Sequence, residues 1–395
     1  MRPRLAALAC LLLLTACGGG GDETAGPTGP PPADALLTLD AATDLGFAET
    51  GGTLAVSLAA VDSTGTPVLV GREIGSPSAF SRGPDLAGAA PLASLGEYGT
   101  TTALAVAPDD TAVLLALAAP GSDNPVPSVV RVAPDGTEQA FPITGSGDVS
   151  ALSSSTVGFG ADASRAVLAL APRDSSQGFP QSTGALQLTL LDTTTGAQAA
   201  SVTVPLTEPA AIVPGQQDPV RVDDVAIAPD GGVVVAVTVT GESQLLRYDA
   251  ALAPVGAPAE LPRLEEFGGF LGLGPDSTAY VTTTGSEVGL VRVPAGATAA
   301  EPVATVSDGS GGVTGLVVDP AGAYAYLTGV TDLDLGSTVR AVDLATGETT
   351  PATQLCAEGS SGRPVLDPTG STLLVSGTCN DQTLLEAFVW TLTTA

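Results

Sequence analysis

The chain contains no lysine and no histidine: all 13 of its basic residues are arginine, against 42 acidic ones. Without histidine there is no Ser-His-Asp triad, and without lysine neither a Ser-Lys dyad nor a Walker A loop. Zinc, copper and haem sites need histidine or clustered cysteine, and the chain has four cysteines in all. A formal charge of −29 repels phosphate backbones and excludes nucleic acid as a partner. Aromatic residues are also scarce, at 4%, although 44% of the chain is hydrophobic. Packing therefore falls to Val, Leu, Ala and Thr. That apolar content separates the chain from disordered acidic tails and predicts an acidic exterior around an ordinary core.

Turn formers are abundant. Forty-nine Gly and 32 Pro run through the whole length without a collagen period, which favours many short strands over long helices. A single all-β domain can reach this size.

The start reads as an address. Arg2 and Arg4 precede an apolar run from Leu5 to Ala16, too short to span a bilayer comfortably but suited to a secretory signal. It ends in "LLTACGGGG", which resembles the lipobox of bacterial lipoproteins. That resemblance implies cleavage before Cys17 and a diacylglyceryl group on its thiol, two acyl chains being enough for stable anchoring. The Gly/Pro-rich stretch that follows has no apolar periodicity and reads as a tether. The expected organisation is a signal peptide at 1–16, a tether at 17–35 and a folded domain at 36–395. Losing Arg2 and Arg4 leaves a charge of 11 − 42 = −31.

A single pattern recurs through the folded domain. "LGLGPDSTAYVTTTG" places a Pro275-Asp276 turn between an apolar and a β-branched run. Similar turns occur at Pro108, Pro229, Pro320 and Pro368, with weaker copies at Ala161 and near Glu49. The successive spacings are 59, 53, 68, 46, 45 and 48 residues, which is a repeat architecture. Pro presets φ and Gly accepts φ > 0 in such turns. The run after each turn is apolar without alternation, as in Val233–Val239, so it is expected to be buried on both faces. A second hairpin follows, as in "VVRVAPDGTEQAFPI" and "LTLLDTTTGAQAASVTV", giving about four antiparallel strands per repeat.

"APDGGVVVAV", "GPDSTAYVTT" and "DPAGAYAYLTG" resemble the turns of YVTN/lactonase-type, WD40-like β-propellers over roughly Leu36 to Ala395. The resemblance implies an all-β propeller of seven four-stranded blades. The last repeat has only three evident strands, and the segment Ala35–Leu39 is expected to supply the fourth beside Leu384–Thr391, because an open ring would expose its edges. The motif is structural and implies fold far more than activity.

Cys10 leaves with the signal and Cys17 is the lipidation candidate, so Cys356 and Cys379 remain to form a disulfide in an exported protein. Both are assigned by repeat phase to the last blade, Cys356 ahead of its first strand and Cys379 just after its second.

Only oxygen and guanidinium chemistry is left for a site. Lactonase-type enzymes use His and Arg around the substrate, and here such chemistry would rest on Asp, Glu and Arg. By phase, the loops between second and third strands present Asp62, Asp123, Asp174, Glu242, Glu287, Asp332 and Asp381. Asp44, Asp223, Asp224 and Arg363 are expected near the channel mouth. These residues suit a Ca²⁺-binding rim or a surface for cationic or polyhydroxyl ligands, although Asp is also an ordinary turn residue. The doublets Asp223/Asp224 and Glu265/Glu266 are poor acid/base pairs, since neighbours on a strand face opposite ways.

The functional expectation is a monomeric, lipid-anchored, extracytoplasmic propeller that binds a ligand or protein, with carbohydrate or an envelope protein as partner. The alternatives are a lactonase-like or other hydrolase at the central channel and an envelope-assembly lipoprotein whose strand edges capture another chain.

Overall fold

The chain divides at Pro31/Pro32, and all the residues described below belong to the unit that begins at Pro32. The computed structural model describes residues 36–48, 55–72, 78–84, 86, 89, 91–93, 100–117, 127–144, 156–174, 176, 181–212, 218–264, 269–283, 288–307, 312–331, 336–380 and 385–394. Among them there is no α-helix, and none therefore that could cross a membrane.

The described strands form seven main antiparallel sheets and one small one. The first contains Ala55–Val61, Pro67–Arg72 and Ala79–Arg82; the second runs Thr100–Val106, Ala112–Leu117, Ser128–Val132, Glu138–Pro142. The third is Thr156–Phe159, Arg165–Leu170, Ala185–Asp192, Gln198–Pro205, and the fourth Val220–Ile227, Val233–Val239, Glu242–Tyr248, Ala259–Glu260. Leu271–Leu273, Ala279–Thr283, Val288–Val293 and Glu301–Ser307 make the fifth. Val313–Val318, Tyr324–Thr331, Gly336–Asp343 and Thr353–Cys356 make the sixth. The seventh combines the broken strand Gly359–Ser361/Val365–Leu366 with Thr372–Asn380, Leu385–Thr394 and the N-terminal Leu37–Ala48. Leu37 pairs with Thr394 and Leu39 with Leu392, and the ladder continues to Ala48 opposite Glu386, well beyond the segment expected from sequence. The small sheet joins Arg173–Asp174, Gln181–Ser182 and Ala210–Ala211.

Each first hairpin closes through the same turn. The N–H of its opening residue (Asp62, Ala107, Gly160, Ala228, Gly274, Asp319 or Asp367) bonds across the hairpin, and the N–H three residues on donates back to it. The donor of that second bond is always left-handed: Gly65, Asp110, Ala163, Gly231, Ser277, Gly322 and Gly370 have φ from 51° to 84°. Asp109, Asp162, Asp230 and Asp276 accept a backbone N–H two residues downstream. Where the acid itself opens the turn, Asp319 and Asp367 instead reach the N–H of Tyr324 and Thr372. The Pro-Asp motif is thus a hairpin device.

This frame moves the first repeat. Its first turn is "DSTGT" at Asp62–Thr66, the counterpart of "DPAGA" and "DPTGS", whereas Glu49 lies outside the described residues. Proline marks most of these turns in the sequence, and this copy carries its proline one position after the turn.

Seven apolar clusters fill the spaces between sheets, each built from two sheets consecutive in sequence except one. The exception joins last to first through Leu45, Leu374 and Val389 against Val61 and Leu69. Val233–Val239 is buried at every position, as its unalternated sequence requires. Arginines tie neighbouring sheets as well. Arg82 donates to the carbonyls of Asp110 and Val132, and Arg247 to those of Ser277 and Val293, the equivalent positions three sheets on.

The Cys356 and Cys379 sulfurs lie at disulfide distance, with the two Cα atoms 5.8 Å apart. Cys356 pairs with Ser337 on the outer edge of the sixth sheet, and Cys379 lies inside the second strand of the seventh. The bridge joins two sheets, which corrects the assignment of both cysteines to one repeat.

Candidate functional site

The innermost strands bring the chemistry together. A cavity of about 610 Å³ is lined by Leu58 and Ala59 of the first sheet, Thr102–Leu104 of the second and Val157–Phe159 of the third. Val225 and Ala226 of the fourth complete its apolar side, and the seventh sheet supplies Ser360, Ser361, Gly362, Arg363, Ser376 and Thr378. The wall is therefore mainly aliphatic, with Phe159, a minority of hydroxyl residues and one guanidinium. Among the described residues, no Asp or Glu lines it.

Arg363 sits in the break of the seventh sheet's inner strand and reaches across three others. Its Nε donates to the Leu316 carbonyl at 3.2 Å, Nη2 to the Leu271 carbonyl at 2.5 Å, and Nη1 lies 3.1 Å from Asp224 Oδ2. Asp224 is held from below: the N–H groups of Leu271 and Val225 each donate to it at 2.8 Å. Its side chain is 4% exposed and that of Arg363 43%, so a buried carboxylate orients a cation that still faces the cavity.

A β-bulge explains why both members of the doublet are buried. The register passes from Val222–Val237 to Asp224–Ala236, leaving Asp223 as the extra residue. Asp223 receives Arg221 Nε at 2.7 Å and the Thr238 hydroxyl at 2.8 Å. Thr238 continues to Ser243, whose hydroxyl accepts the Leu264 N–H. Burial pushes the Asp223 carboxyl above its usual range, with Arg221 and Thr238 pulling the other way. The two acids thus serve separate networks and do not flank a common reacting atom.

The remaining candidates disperse. Asp62 lies in a turn between first and second strands, at the opposite hairpin end from its expected loop, where its Oδ1 accepts the N–H groups of Thr64 and Thr66. Asp44 is on the outer strand opposite Phe388, away from the channel mouth where it was expected. Asp174 occupies the small sheet and accepts the Ser176 N–H. Glu242 opens the third strand of the fourth sheet and lines a separate cavity of about 700 Å³ with Glu260 and Arg263. Asp123, Glu287, Asp332, Asp381 and the Glu265/Glu266 doublet lie outside the described residues. Among the described residues no three His, Cys, Asp or Glu gather as a metal site. The hydroxyls of the seventh sheet escape a reading by charge; "EGSSG" and "VSGT" show them, but only the strand order brings both segments to the cavity.

No family model and no curated protein matches the sequence. Among solved structures, hydrazine synthase from Kuenenia stuttgartiensis is similar at a TM-score of 0.46 and 13% identity, covering 70% of this chain and 75% of that one. A luciferin-regenerating enzyme is similar at 0.42 and 13% identity, covering 76% and 94%. Both have propeller-type folds, and at these scores neither bears on what this chain does.

Proposed function

We propose that the mature chain is a lipid-anchored, extracytoplasmic β-propeller of seven blades whose central cavity binds a small polyhydroxyl ligand. Ring closure through the N-terminal strand is supported by its ladder with Leu385–Thr394 and by the apolar cluster joining last sheet to first. Anchoring rests on the lipobox-like sequence ending at Cys17.

The cavity carries the reading. Its volume suits a small organic ligand, and its wall offers aliphatic contacts for C–H faces, several hydroxyl residues, of which Ser360 and Thr378 bond to each other, and one pre-oriented guanidinium. A hydrolase would need a carboxylate on that wall, and Asp223 and Asp224 are committed to Arg221 and Arg363 instead. Binding is therefore favoured over catalysis.

Calorimetric titration of the lipid-free Cys17→Ala protein with monosaccharides and sugar lactones tests the site. Binding should occur and should fall at least tenfold in Arg363→Lys, which keeps the charge but not the planar fork. Absence of binding across the panel would remove the polyhydroxyl reading. Cys17→Ala should itself move the protein from the membrane to the soluble fraction; retention in the membrane would refute the anchor.

A further inference from the structure

An outer sheet edge presents unpaired N–H and C=O groups, and proteins normally blunt it with charge, proline, shortness or cover. Among the described residues, six of the seven outermost strands carry such a device. Ala79–Arg82 has four residues, ends in arginine and is covered at its start by a bridge from Ala79 to Pro91, and Glu138–Pro142 has a charge and a proline. Ala259–Glu260 has two residues, and Glu301–Ser307 opens with Glu-Pro. Thr353–Cys356 is short and covalently joined to the next sheet, and Leu37–Ala48 carries Asp40 and Asp44.

Gln198–Pro205, "QAASVTVP", is the exception: eight residues, no charge, and no proline before its last position. Its outward groups follow from the ladder. Leu206 N–H donates to Gly184, and Ala185 stands opposite Pro205. Antiparallel alternation then turns the N–H and C=O of Ser201 and Thr203 away from the sheet. Pro205 has the same phase, so its missing N–H falls on the open side. The edge already accepts a partner at its start, where Thr144 exchanges hydrogen bonds with Gly196 and Gln198. Among the described residues nothing pairs beyond that point.

We propose that this edge docks an extended, uncharged segment of another protein, with basic residues flanking it, as an added strand. Charge selects the partner. Asp192 ends the neighbouring strand at the hairpin that leads into this edge, and Glu208 lies just after the edge, on a chain of −29. A second copy paired antiparallel would set acid against acid at both ends. A strand with basic flanks meets attraction at both ends instead. This site is separate from the central cavity and does not depend on it.

The probe is a labelled peptide, KKTVTVTKK, added to the full chain bearing Cys17→Ala, with EETVTVTEE as its acidic counterpart. The basic peptide should bind, slow hydrogen exchange at the Ser201 and Thr203 amides, and outcompete the acidic one at least tenfold. Thr203→Pro removes one outward donor and should weaken binding about tenfold, while Thr203→Val should not. Unchanged exchange at both amides with saturating peptide in the unmodified strand would overturn the proposal, whatever the folding of the proline variant. Equal binding of the acidic peptide would overturn the charge argument. A concentration-dependent dimer abolished by Thr203→Pro would assign the edge to a second copy and overturn the partner.

Discussion

Truncating Asp224 should cost more than truncating Arg363, although the two form one ion pair. Asp224→Ala strips the partner from two backbone N–H groups, those of Leu271 and Val225. At about 1–3 kcal/mol for each buried donor left unsatisfied, and with the pair lost, the expected loss is about 3–5 kcal/mol. Arg363→Ala frees two carbonyls and the carboxylate, but its side chain is 43% exposed toward a cavity water can enter. Solvent screening reduces its contribution to about 1–2 kcal/mol. Once Asp224 is gone, removing Arg363 should add little, so the double variant should resemble Asp224→Ala with a coupling of about 1–2 kcal/mol. Urea unfolding of the four proteins at pH 7 measures this, provided the slopes agree. A larger loss for Arg363→Ala than for Asp224→Ala, or additivity within about 0.5 kcal/mol, would refute the view that a buried acid positions a half-solvated cation.

Further expectations follow from the same structure. In the mature protein bearing Cys17→Ala, Cys356 and Cys379 should give no free thiol without reductant, and their reduction should lower stability by about 3 kcal/mol in the loop-entropy account for a separation of 23 residues; two titratable thiols in that protein would end the pairing. Arg82→Met and Arg247→Met should each lose about 1–2 kcal/mol, a moderate figure because the Nε of each is buried without a partner. Thermal unfolding checks them, and effects of opposite sign would show that they are not equivalent ties. Acid should destabilise the fold. Hydrogen bonds from the Thr111 N–H, the Ser164 hydroxyl and the Thr278 N–H hold Asp109, Asp162 and Asp276 below the usual carboxylate value of 3.8. Their contribution is complete above that value and lost as pH falls through the lowered ones. Asp223, raised by burial, works the other way: its contribution is present at low pH and lost as pH rises through its raised value. Asp223→Asn should therefore steepen the acid loss, as read from urea midpoints between pH 3 and pH 7; a shallower one would refute the assignment.

Much of the fold is legible because it is written in short-range chemistry. A left-handed residue, an Asp accepting a nearby downstream N–H and a following apolar run recur together, so the turns at Ala107, Ala228, Gly274, Asp319 and Asp367 can be read residue by residue. Asp62 misleads for the same reason, since its turn has the acid and the glycine but lacks the proline that marks the others. A slip of that size moves a residue to the other end of its sheet, which is how Asp62 leaves the rim.

The candidate site is less legible. Repeat phase puts Asp223, Asp224 and Arg363 near the axis, but the partnership of Asp224 with Arg363 spans 139 residues, and its direction depends on a bulge and a broken strand. Neither leaves a periodic trace. Likewise, the spacing of Cys356 and Cys379 fits a bridge without showing that it joins two sheets. By itself, the sequence determined the strand class, most of the hairpin turns, and the chemistries that the missing lysine and histidine exclude, because each depends on residues a few positions apart. Only the tertiary structure decided which hairpin end carries Asp62, which acid meets which arginine and which described outer strand lacks a partner along most of its length, because those depend on how whole sheets stand against one another.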